Sequence, residues 1–77
     1  IDSIIDKFSI GWSVDRLSTV DKAILRIAVY EIMFDDDIPN KVSVNEAVEL
    51  AKEFSEDKAP SFINGVLGKV VRYKEAN

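Results

Sequence analysis

The 77-residue chain contains no cysteine and no histidine. Without thiols it forms no disulfide, and without thiolate or imidazole it lacks the usual ligands of zinc and copper. Nucleophilic catalysis by Cys, or by Ser with a His base, is excluded on the same ground. The longest uncharged apolar stretch, Ile27 to Tyr30, is far too short to cross a bilayer. Positive charge is in deficit, with 10 Lys and Arg against 14 Asp and Glu, a formal net charge of −4. An acidic chain is a poor autonomous binder of nucleic acid, because that affinity comes mainly from neutralising phosphates. Any RNA-binding role therefore needs a local basic patch or a helper. A cysteine-free chain fits the cytoplasm.

The chain has apolar residues at 47% and charged residues at 31%, a globular rather than disordered balance. Its length suits one small domain of modest stability. Ile1, Ile4, Ile5 and Phe8 recur at helical spacing. No N-cap precedes them, so the expectation is the tail of a longer helix, with Gly11 as its left-handed cap. The segment with Trp12, Val14 and Leu17 reads as a connection.

Ser18 is a good N-cap, with Asp21 three places on. The helix expected from about Thr19 to Phe34 has one stripe of Val20, Ile24, Ile27 and Ala28. A second stripe holds Leu25, Val29, Ile32 and Met33. A helix apolar nearly all round reads as a buried central helix. Glu31 falls within this apolar surface and there needs a partner.

Asp35-Asp36-Asp37 and Pro39 end that helix. Three consecutive acids project in different directions, so they read as a helix stop and not as a cation site. Ser43-Val44-Asn45-Glu46 spells a capping box, predicting a helix from about Val44 to Phe54. Its expected buried face is Val44, Ala47, Val48, Leu50, Ala51 and Phe54. Glu31, Glu46 and Glu49 have no nucleophile or phosphate cradle beside them, so no catalytic residue is assigned and no enzyme is expected.

Asn64-Gly65 is, in isolation, a strong hairpin signal. Around it, Phe62, Ile63, Val66, Leu67, Val70 and Val71 recur every three or four residues. That is helical period, and Pro60 suits a first helical turn. The pair therefore sits inside a helix, where Gly65 and Gly68 each cost about 1 kcal/mol against Ala. Neither faces the apolar stripe. Phe62, Lys69 and Tyr73 fall close together on the helical wheel, flanked by Arg72 and Gly65, with Lys58 in the preceding loop. An aromatic ring beside cations and bare backbone is what single-stranded nucleic acid uses. The plainer alternative is that both rings are boundary core residues.

Three motifs, LRIAVYE at 25–31, VNEAVELAKEF at 44–54 and FINGVL at 62–67, resemble the C-terminal half of the NusB family. The likeness runs from about Trp12 to Lys69. It implies an all-α fold, a small orthogonal helical bundle forming the C-terminal subdomain of a NusB-like fold. Residues 1–10 would be the end of a linking helix and 11–77 the bundle. The resemblance further implies a non-catalytic antitermination module binding boxA-type RNA together with NusE, a ribosomal protein, within the transcription elongation complex. No cofactor, metal or membrane is implied. The resemblance carries over only Phe62 and the preceding loop toward RNA, and Asp21 as a candidate partner contact; with the helical-wheel cluster, the candidate RNA-binding residues are Phe62, Lys58, Asn64, Gly65, Lys69 and Arg72. The loop departs from the commoner family form, with Lys58 where an acidic residue is usual and Ser61 replacing a frequent Lys. Two alternatives remain: a NusB-like accessory domain of a ribosomal RNA cytosine methyltransferase, and a purely structural helical bundle. Apolar surface left on the central helix would also favour a homodimer.

Overall fold

The computed structural model describes residues 1–8 and 17–76. The expected cap at Gly11 and the connection through Trp12 and Val14 lie outside the described residues. Among the described residues four helices follow in order: α1 (Asp2–Phe8), α2 (Thr19–Phe34), α3 (Asn40–Phe54) and α4 (Ala59–Ala76). The described residues contain no strand, so the fold is all-α, and Asn64-Gly65 lies within α4.

The core is assembled from one face of each helix. α3 and α4 pack most extensively on each other, and both pack on α2; α1 rests on α4 and α2. Ile5, Leu25, Val29, Ile32, Ile63, Leu67 and Val70 are completely buried. Each such side chain contributes roughly 1.5–3 kcal/mol relative to exposure. Small residues Ser43, Ala47 and Ala51 line the buried face of α3. At four-residue spacing they fall on one side of the helix and let its backbone approach its neighbours.

The start of α2 follows the expected chemistry. The Ser18 hydroxyl accepts a hydrogen bond from the Asp21 amide at 3.1 Å. Such a cap contributes about 1 kcal/mol. The Asp21 carboxylate does not complete a box. It accepts a 2.6 Å hydrogen bond from the Ser55 hydroxyl, tying the start of α2 to the end of α3. The three aspartates do stop α2. Asp35 caps it, its backbone N–H donating to the Glu31 carbonyl, and its carboxylate accepts from the Asp37 amide at 3.1 Å. Asp36 pairs with Lys74 of α4 at 3.2 Å.

Three expectations are corrected. The sequence Ser43–Glu46 is not a capping box, because α3 begins four residues earlier. Pro39 is its N-cap, and the Pro39 carbonyl accepts from the Val42 and Ser43 amides at 2.9 and 3.3 Å. Proline presets the backbone angle that starts a helix, so α3 starts there. Ser43 is then buried within α3, at 1% exposure, with its hydroxyl unpaired. Second, α2 is not buried all round: Val20, Ile27, Tyr30 and Phe34 are 40%, 58%, 55% and 63% exposed. Among the described residues its neighbours cover one side, and Glu31 is half-buried at the edge of the open side. Third, Leu50 and Phe54 lie exposed, Leu50 at the margin of the Ser43–Ala47–Ala51 line and Phe54 on that line at the last residue of α3.

Candidate nucleic-acid interface

The candidate surface is built on α4. Ala59, Ile63, Val66, Leu67 and Val70 anchor the helix to the core. At about 100° per residue the opposite side is then fixed. Lys58 immediately precedes the helix, and its carbonyl accepts from the Phe62 amide at 3.2 Å. Lys58, Phe62, Gly65, Lys69 and Arg72 recur at four, three, four and three residues. They occupy an arc of about 80° along roughly 21 Å of helix. Lys58, Gly65 and Arg72 are exposed; Lys69 and Phe62 are half-buried. Phe62 packs against the core, so the aromatic is a half-buried boundary residue.

Gly65 opens the middle of this stripe. A Cβ placed there would meet nothing within 4 Å, so no neighbouring group requires glycine. From Lys58 onward the chain has four cations and one carboxylate, Glu75; the preceding residues hold the other six cations and thirteen acids. The segment from Lys58 onward is thus net positive in an otherwise acidic chain. That is the local basic patch an RNA-binding role demands.

Not every candidate joins the stripe. Asn64 is exposed but lies about 80° beyond Arg72, on the adjoining face with Gly68. Asp21 sits at the start of α2, held by Ser55. Tyr73, close to Phe62 on the wheel, is engaged by α1. Its ring centroid lies 5.4 Å from that of Phe8. The Lys7 ammonium stands 4.6 Å from the Tyr73 centroid and 5.5 Å from that of Phe8. This cation–π arrangement makes Tyr73 a fastening for α1.

The sequence reading missed Ser55, whose role depends on a residue 34 positions away. It also missed Lys41 and Asn40, which α3 brings opposite Gly68 and Arg72. Among the described residues, no three of His, Cys, Asp or Glu are grouped to hold a metal ion. No helix among them is long and apolar enough to cross a membrane.

The profile of the NusB family matches residues 1–72. The chain belongs to the NusB family. It is similar to the transcription antitermination protein NusB of Natranaerobius thermophilus, with 63% identity over 70 residues, 91% of this chain and 50% of the relative. Its likeness to the protein of the same name from Acetivibrio thermocellus is 60% identity over 74 residues, 96% of this chain and 51% of the relative. Both relatives are named as transcription antitermination proteins. A solved structure of NusB from T. maritima superposes with a TM-score of 0.88 at 40% identity, covering 94% of this chain and 51% of that one. The chain spans about half the length of the curated relatives it matches.

Proposed function

We propose that this NusB-family chain is a non-catalytic RNA- and protein-binding module of a bacterial transcription antitermination factor. In this reading it works in the cytoplasm and binds boxA-type RNA together with NusE, within the elongation complex. Residues 1–10 are the end of a linking helix, and 11–77 the bundle that carries the contacts. The observation that supports this most is the Lys58–Phe62–Gly65–Lys69–Arg72 stripe: four of these five residues are cationic or aromatic, and the fifth is bare backbone in an otherwise acidic chain. Bases stack on Phe62 and phosphates meet the cations. Asn64 serves at the rim. Asp21, at the junction of α2 and α3, meets the protein partner.

The acidic balance explains the need for a partner. Few phosphates are neutralised by this chain alone, so its own RNA affinity is weak and salt-sensitive. The test is fluorescence anisotropy of a labelled boxA-type RNA, with and without NusE, at two salt concentrations. Binding that tightens with NusE and prefers boxA over a scrambled strand supports the reading. Equal weak binding of both strands under all conditions refutes it. Phe62→Ala is expected to weaken binding by about 1–3 kcal/mol, and an unchanged affinity removes Phe62 from the site.

The open side of α2 supports one further reading, a homodimer. Val20, Ile27, Tyr30 and Phe34 lie on one helix face, and the Tyr30 and Phe34 rings are 5.5 Å apart. Exposed apolar surface of this kind favours self-association. Sedimentation of a clean monomer at high concentration rejects it.

A further inference from the structure

A groove runs between the first two turns of α3 and the C-terminal half of α4. It is a shallow hollow of about 360 Å³, wide open to solvent, whose lining is mostly apolar and includes Val44 and Val71. Lys41 stands on the α3 wall and Arg72 on the α4 wall, with Asn40 and Asn45 beside Lys41. Neither cation takes part in an ion pair among the described residues. Glu75 at the far end is the one carboxylate lining the groove.

Gly68 lies on the α4 wall, one turn before Arg72. A Cβ there would approach the Arg72 guanidinium at 3.7 Å and no other group within 4 Å. That is ordinary van der Waals contact, so packing within the chain does not demand glycine. Helix propensity disfavours it. Yet α4 carries two such glycines, and they open different faces. Gly65 opens the stripe that carries Phe62. Gly68 opens the groove. Arg72 falls between these faces, about 20° from Gly65 and about 40° from Gly68 on the wheel. It belongs to both.

We propose that the groove over Gly68, between Lys41 and Arg72, binds the phosphodiester backbone of the same single RNA strand that stacks on Phe62. This rests on the RNA-binding reading above and extends it to a second face of α4 and to α3. Arg72 joins the two subsites. Glycine lets the backbone of the strand come close, and Lys41 with Arg72 supplies charge from both sides. The asparagine amides donate to phosphate oxygens or ribose hydroxyls. Glu75 limits the track to the half of the groove nearer Gly68.

The test is the same RNA titration, carried out with NusE across a range of salt. Lys41→Gln removes one phosphate contact and is expected to weaken binding about threefold or more, and to lower the salt slope by about 0.7. Gly68→Ala is expected to raise the melting temperature yet weaken RNA binding about threefold or more. A purely structural role for Gly68 does not separate those two readouts. Lys52→Gln, on an exposed lysine paired with Glu49 outside the groove, controls for net charge and leaves affinity unchanged. Unaltered affinity and slope in both groove variants, with binding still weakened by Phe62→Ala, overturns the groove and leaves the RNA reading intact. An equal loss in Lys52→Gln and Lys41→Gln reduces the effect to overall charge and also overturns it. If the unaltered chain with NusE binds no RNA, both readings fall.

Discussion

Gly65→Ala moves stability and binding in opposite directions. The residue lies within α4, six places from its first residue. Glycine in a helix interior is about 0.8–1.0 kcal/mol less favourable than alanine, through the backbone entropy it loses on folding. A gain of that size appears only if the new methyl group fits. Here it does, since nothing lies within 4 Å of the Cβ position. The variant should therefore gain about 1 kcal/mol. For a domain of this size that corresponds to a rise of roughly 4–8 °C in melting temperature. Circular dichroism followed through thermal unfolding reads it, and urea titration checks it by a higher midpoint at constant slope. The same methyl group stands in the middle of the candidate RNA stripe, where it holds the strand away from the backbone. RNA affinity should fall although the fold is firmer. An unchanged or lower melting temperature refutes the claim that no neighbouring group requires glycine. A higher melting temperature with undiminished RNA binding refutes the claim that the strand crosses at Gly65.

Ser43→Ala removes a hydroxyl that is buried without a partner. The buried donor is relieved and helix propensity improves, so stability should rise by about 1 kcal/mol; a fall in melting temperature shows that the hydroxyl does find a partner. Ser55→Ala deletes the donor to Asp21 across the α2–α3 junction and should cost about 1–2 kcal/mol. A double-mutant cycle with Asp21→Ala checks it. Additivity within about 0.3 kcal/mol means the two residues are not energetically coupled.

How much of this was legible in the sequence differs from helix to helix. In α4, the three- and four-residue recurrence of Ile63, Val66, Leu67 and Val70 outweighed the Asn64-Gly65 hairpin signal. The same recurrence put Phe62, Lys69, Gly65 and Arg72 together. In α2, Ser18 marked the start and the aspartates the stop. In α3, Ser43 and Glu46 had the chemistry of a capping box, but Pro39 had already started the helix. The serine therefore became a small core residue.

The sequence by itself determined that the chain is helical, which residues share a helix face, and which segment is net positive. Those properties follow from local geometry, a repeat of about 3.6 residues and the chemistry of helix ends. Only the tertiary structure decided which faces are covered. It left Ile27, Tyr30 and Phe34 open on α2, gave Tyr73 to Lys7 and Phe8, joined Asp21 to Ser55, and set Lys41 across a groove from Arg72. Covering a face requires a second element, and the pairing of elements far apart in the chain leaves no periodic trace in either of them.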